Sequence, residues 1–234
     1  TTWSRGLGDV YKRQLQILSI DPDDFNANHL HGCILSQKKK YKEAIRFLIK
    51  SVELNCDNYE ANNNLAIALK NDKDFDRAQL YFENAIKIDP RDYRAHYNLG
   101  NLFAQTEDYQ EAIKSFASAF ECDSNFLESK KRMGEVYQFI YQKGHDEENL
   151  LKSEKCFIEI LEKNPNDISS LTLLGLAKLW KGDIDESHQI FQKTHKHQYE
   201  NQEILNKEIN RILNNKNALC TLIKHEYEPV SYTH

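Results

Sequence analysis

Apolar residues along this chain recur with helical spacing, in paired segments separated by short polar turns. Between Tyr93 and Phe126, Leu99, Gly100 and Phe103 mark one face of a first helix, at i, i+1 and i+4. Tyr109, Ala112, Ile113, Phe116, Ala119 and Phe120 then step by threes and fours, as a second amphipathic helix does. The stretch Gln105-Thr106-Glu107-Asp108 between them is polar and reads as a turn. A turn this short brings the second helix back along the first, so the pattern predicts an antiparallel helix pair.

The pair returns along the chain. Gly32, Ala66, Gly100 and Gly134 stand 34 residues apart, and Gly175 follows after 41. Ala44, Ala78, Ala112, Ser153 and Ser187 trail them by 12 residues, except that seven more intervene before Ser153. Pro22, Pro90 and Pro165 keep the same period. Small residues belong where the two helices of a pair touch, Gly100 facing Ala112, because a larger side chain would force the backbones apart. A fixed period of this size means one supersecondary unit stacked repeatedly, each burying its apolar face on the next.

Set in register, these positions reproduce the W-x2-L-G-x2-Y…A-x3-F…P pattern, and the chain resembles the tetratricopeptide repeat family. Residues 59–92 carry it as Leu65, Ala66, Leu69, Phe75, Ala78, Phe82, Ala85 and Pro90. Residues 25–58 carry Gly32, Leu35, Tyr41, Ala44 and Leu48, with His31 in the usual leucine place. Residues 93–126 form the third unit, and 127–167 the fourth, with Met133, Gly134, Tyr137, Ser153, Phe157 and Pro165. Residues 168–201 form the fifth, with Leu174, Gly175, Ile184, Ser187 and Phe191, and Lys178 in place of an aromatic. The resemblance implies an all-α fold, a right-handed superhelical solenoid of antiparallel helix pairs.

The register also marks departures. The seven extra residues fall between the helices of the fourth unit, around Gln142–Asn149, and predict either a longer loop or a first helix extended by one or two turns. After Asn201 the pattern fails, and residues 202–229 read as a capping helix or a degenerate repeat. Residues 15–24 read as the end of a truncated repeat, although Val10 and Gln14 stand where alanine and phenylalanine belong. Residues 1–14 and 230–234 look like adapter-derived, non-native segments.

Composition narrows the chemistry. A formal net charge of −5 offers no basic footprint for nucleic acid. Five scattered cysteines argue against a disulfide framework and for a reducing, cytoplasmic setting. No apolar run reaches the ~18 residues of a membrane helix. No catalytic motif emerges, and the reading is of a chain without activity or cofactor of its own. His29 and Cys33 share a helix face, but a zinc site needs three or four ligands, so they read as partly buried face residues. His195 and His197 are a weaker pair near a helix C-terminus.

In tetratricopeptide arrays the first helices line the concave side, and the resemblance implies that their non-core positions face a bound peptide. Here those are His29, Cys33, Asn63, Ile67, Tyr97, Asn101, Lys131 and Glu135. Asn64 and Asn98, one period apart, precede the core leucines. An asparagine there either hydrogen-bonds the backbone of an extended peptide or bridges neighbouring helices. The terminal-carboxylate clamp of related arrays is matched by Asn98 and Arg132, but Asn63, Ile67 and Glu128 occupy its other places, and Glu128 repels an anion. The expected contact surface is therefore Asn63, Asn64, Tyr97, Asn98, Asn101, Lys131 and Arg132: amides for peptide backbone, Tyr97 for apolar contact, cations for acidic side chains. The expected function is a protein-interaction scaffold with a protein or peptide partner. Its rivals are the substrate-recruiting array of a larger enzyme, such as a peptide O-glycosyltransferase, and a structural subunit of a ciliary-transport or cell-cycle complex.

Overall fold

The computed structural model describes residues 13–195. The cap expected at 202–229, the segments 1–12 and 230–234, and the side chains of His195 and His197 lie outside the described residues. Within them the chain forms eleven helices and no strand. Residues 13–20 are α1. There follow α2 (Phe25–Gln37), α3 (Tyr41–Leu54), α4 (Tyr59–Asn71), α5 (Phe75–Ile88), α6 (Tyr93–Gln105) and α7 (Tyr109–Cys122). The last four are α8 (Leu127–Gly144), α9 (Glu147–Lys163), α10 (Ile168–Lys181) and α11 (Ile184–His195). None is long and apolar enough to cross a membrane. Two compact units divide within α8, between Val136 and Tyr137.

Local chemistry repeats with the register. Asp24, Asn58, Asp92 and Asp167 cap α2, α4, α6 and α10, each side chain accepting from a backbone N–H of the first turn. Ahead of α8 the same place holds Phe126, whose ring packs 4.5 Å from Tyr93 and 5.0 Å from Tyr97 instead. The first helices α2, α4, α6 and α10 then end on one left-handed residue each: Lys39, Lys73, Glu107 and Gly182. The next residue's N–H returns to the carbonyl five positions back, as Asp74 does to Leu69 at 3.0 Å and Asp183 to Lys178 at 2.9 Å. Only Gly182 takes this conformation without a side-chain penalty.

In the first unit α2 packs on α3, α4 on α5 and α6 on α7, while α3 meets α4 and α5 meets α6. The core runs through Leu48, Phe82 and Phe116, all at 0% exposure. The small-residue series exists for these side chains. A Cβ on Gly100 would stand 2.7 Å from the Phe116 ring, and one on Gly32 would stand 2.6 Å from Leu48. The sequence places Gly100 against Ala112; the atoms nearest it belong to Phe116, one helical turn further on. Gln14 of α1 falls one period before Leu48 and is buried like its counterparts, with Oε1 lacking a hydrogen-bond partner among the described residues.

In the second unit α10 packs on both α9 and α11. Gly175 repeats the close approach, its Cβ place 2.5 Å from the Phe191 ring. Lys178, where the repeat expects an aromatic, joins three helices through Glu154 at 3.0 Å and Glu186 at 2.8 Å. Those two carboxylates raise its pKa despite desolvation, so charge pairing has replaced ring packing.

The seven-residue insertion is not a loop. The helix α8 has 18 residues where α6 has 13, and α9 has 17 where α7 has 14, while their connection is one residue shorter. Both helices of the fourth repeat are lengthened toward the turn, which His145 closes at φ 54. The added segment carries Tyr141, stacked 6.1 Å from Trp180 of α10 and donating its hydroxyl to the Trp180 carbonyl at 3.4 Å.

Two stability measurements follow. Gly100→Leu should lose about 3 kcal/mol in chemical denaturation, through overpacking against Phe116; an unchanged midpoint would contradict the close approach. Gln14→Leu should gain about 1 kcal/mol by removing a buried polar atom without a partner, and a loss would contradict its burial in the core.

Candidate protein-interaction face

The first helices of the first unit, α2, α4 and α6, lie side by side. Polar side chains at matching positions bridge them. Asn64 of α4 reaches back to α2, with Nδ2 2.9 Å from His29 Nε2 and donating to Cys33 Sγ at 3.4 Å. Asn98 of α6 repeats the first of these bonds one unit on, donating from Nδ2 to Asn63 Oδ1 of α4 at 3.1 Å. Arg132 of α8 repeats the second, donating from Nε to Asn101 Oδ1 of α6 at 3.1 Å. The pairs are separated by 35 or 31 residues, one repeat plus one position or one repeat less three. Both separations keep the bridges on one face.

Burial sets the protonation of this face. Desolvation lowers the pKa of His29, against the opposing pull of Glu60, so the imidazole is neutral and, with its proton on Nδ1, accepts from Asn64 at Nε2. Desolvation likewise pushes the Cys33 thiol up to about 11, which leaves it a poor nucleophile. The two residues weighed as metal ligands therefore share the Asn64 amide. Among the described residues no group of three or more His, Cys, Asp and Glu could hold a metal ion.

The expected contact residues divide by what already touches them. Asn63 is 6% exposed and accepts from Asn98. Tyr97 is half-buried, its ring 5.7 Å from Phe116 and 5.0 Å from Phe126. Asn101 also donates from Nδ2 to its own helix at the Tyr97 carbonyl, 3.0 Å away. Lys131 pairs with Glu128 at 2.5 Å, and Arg132 pairs with Glu135 one turn on. Asn64 and Asn98 bridge helices, and Asn98 spends one of its two amide hydrogens doing so.

A second polar series is visible in the sequence only as a coincidence of spacing. Asn28, Asn62 and His96 stand 34 apart. Asn28 Nδ2 donates to the Pro22 carbonyl at 2.9 Å, Asn62 Nδ2 to the Cys56 carbonyl at 2.8 Å, and His96 Nε2 lies 3.0 Å from the Pro90 carbonyl. These side chains tie the incoming connection onto each first helix.

Stacked helix pairs bridged by periodic polar side chains define a helical-repeat scaffold. The sequence matches the tetratricopeptide repeat family over residues 25–58 and again over residues 63–125. The matched residues run from α2 to α7 and are similar to tetratricopeptide repeats. No curated protein matches it in sequence. Solved structures share its fold: a MamA protein with TM-score 0.65 and 19% identity, covering 76% of this chain and 94% of that one. YrrB, described as a TPR protein with an unusual peptide-binding site, gives 0.64 at 17% identity over 85% of this chain and 97% of its own. MamA from Desulfovibrio magneticus RS-1 gives 0.61 at 19% identity, covering 81% and 96%.

The histidines yield a pH measurement. His31 fills a leucine place at 2% exposure, edge-on to Phe47 at 4.4 Å. Desolvation, then Lys38, lowers its pKa, as desolvation lowers that of His29. With folded pKa values below 6.5, the unfolded chain binds more protons in acid, so their contribution is intact above about pH 6.5 and declines as pH falls below it. A His29→Gln, His31→Leu variant should therefore lose less melting temperature than the parent between pH 7 and pH 5; parallel losses would contradict the assignment.

Proposed function

We propose that this chain is a protein-interaction scaffold whose first-helix face in the first unit receives an extended peptide segment of a partner. The observation that carries the reading is the set of rungs formed by Asn64, Asn98 and the Asn101–Arg132 pair. Each amide is held by a neighbouring helix in a fixed direction, yet Asn98 keeps a hydrogen and its carbonyl oxygen for further bonds. A peptide backbone offers one donor and one acceptor per residue, and satisfying it needs groups of this kind. Bridging and binding are thus compatible roles. The bridge holds the amide in place before binding, which reduces the entropy lost when a ligand orders it. The tetratricopeptide matches over residues 25–58 and 63–125 support the general class, and YrrB is a precedent of the same fold described as having a peptide-binding site.

The test is peptide selection from a random display library against this chain, followed by affinity measurement on variants. Asn64→Ala with Asn98→Ala should weaken selected peptides about tenfold, close to 1.4 kcal/mol, with a circular dichroism spectrum unchanged. Lys114→Ala on α7, an exposed residue paired with Glu111, serves as control and should leave affinity intact. Enrichment of no peptide, or affinities indifferent to the asparagine pair, would remove the reading.

A further inference from the structure

The rung at Asn64 differs from the rung at Asn98 in how much of its amide is used. Asn98 gives one hydrogen to Asn63. Asn64 turns Nδ2 toward two groups of α2, lying 2.9 Å from His29 Nε2 and donating to Cys33 Sγ at 3.4 Å, so both amide hydrogens are committed. Its Oδ1 has no partner among the described residues. The oxygen and nitrogen of an amide point apart in one plane, so Oδ1 is directed away from α2. This rung therefore offers a ligand an acceptor and no donor. The arrangement holds only while His29 Nε2 lacks a proton. An imidazolium carries a hydrogen on both ring nitrogens and has no acceptor in any ring orientation.

We infer that His29 decides which group a bound peptide meets at Asn64: neutral, it keeps Oδ1 outward to receive a backbone N–H; protonated, it turns the amide over and presents Nδ2 instead. The proposal rests on the reading of this face as a peptide site and adds a sequence requirement and a regulator. The residue bound at Asn64 must carry a backbone hydrogen, so proline and N-methylated residues are excluded there at neutral pH. The reversed rung loses no bond inside the chain, because Oδ1 can accept from the imidazolium and from the thiol hydrogen of Cys33. That thiol keeps its proton throughout, burial having pushed it up to about 11. The surroundings leave the switch to His29. Its ring stacks 5.7 Å from Phe25, and α4 brings Glu60, whose charge and backbone favour the proton against the larger cost of burial. The helix α3 meets the opposite side of α2, where its Glu43 acts on His31. The turnover therefore falls below pH 6.5.

Nuclear Overhauser contacts test this first, on the isotope-labelled full chain without ligand. At pH 7.5 the Asn64 NH2 protons should show a contact to His29 Hε1. That contact should vanish on acidification with the same midpoint as the His29 ring shift, while contacts from the Asn98 NH2 to α4 persist. A library-selected peptide, chosen at pH 7.5, should then bind about tenfold more weakly once His29 is protonated, the worth of one hydrogen bond. Among its singly N-methylated forms, one should lose about tenfold at pH 7.5 and almost nothing with His29 protonated. His29→Gln should flatten the pH dependence, and His96→Gln should keep it. His29→Arg, a donor at every pH, should bind at pH 7.5 without the N-methyl penalty, so the test stands even if acid unfolds the chain. An NH2 contact retained beside protonated His29, or a pH dependence that survives His29→Gln, overturns the switch. So does the lack of any sensitive N-methyl position while Asn98→Ala still weakens the peptide, which leaves the peptide face standing. If library selection enriches no peptide at all, both readings fall.

Discussion

One close approach organises the described structure: the small residue of each first helix against the large side chain that the second helix turns toward it. Gly100 against Phe116, Gly175 against Phe191 and Gly32 against Leu48 are the same contact in different repeats. Interiors pack to crystal-like density, so a helix pair can close to this distance only where one partner has no side chain to place. Once the pair is closed, its length and turn follow. The left-handed residue and the backward hydrogen bond end the first helix at one position, and an Asp or Asn cap starts the next first helix at another. Stacking then places equivalent residues of successive first helices side by side.

That placement produces the candidate site. A side chain at one position of α4 meets α2, and its counterpart on α6 meets α4, with the same geometry. The rungs vary in chemistry while their spacing stays fixed: an amide to an imidazole, an amide to an amide, a guanidinium to an amide. Variation on a fixed frame is how a repeat scaffold acquires specificity, since the fold asks only that those positions stay off the core.

Much of the fold is legible because the core writes itself into sequence as a period. The glycine and alanine series, the phenylalanines and the polar turns all repeat for packing reasons, so spacing alone reveals the helix pairs. The turn around Gln142–Asn149 is less legible, because seven extra polar residues are compatible with a loop or with longer helices; the structure extends both helices. The face is only half legible. Register places Asn64, Asn98, Asn101 and Arg132 on one side, but not that they touch across helices, because contacts between repeats depend on side-chain reach. Spacing does not distinguish Asn62, folded back onto the Cys56 carbonyl, from Asn63 and Asn64 beside it. Nor does it show that Lys178 has exchanged an aromatic contact for an ion pair with Glu154.

Everything proposed for this chain depends on the first-helix rungs, rather than the second helices, receiving the partner. Side-chain amide resonances of asparagine report this directly in an isotope-labelled chain titrated with a library-selected peptide. The NH2 signals of Asn64, Asn98 and Asn101 should shift, while those of Asn28 and Asn62, tied to their own loop carbonyls, stay in place. Shifts confined to residues of α3, α5 and α7, with the rung asparagines unmoved, would contradict it.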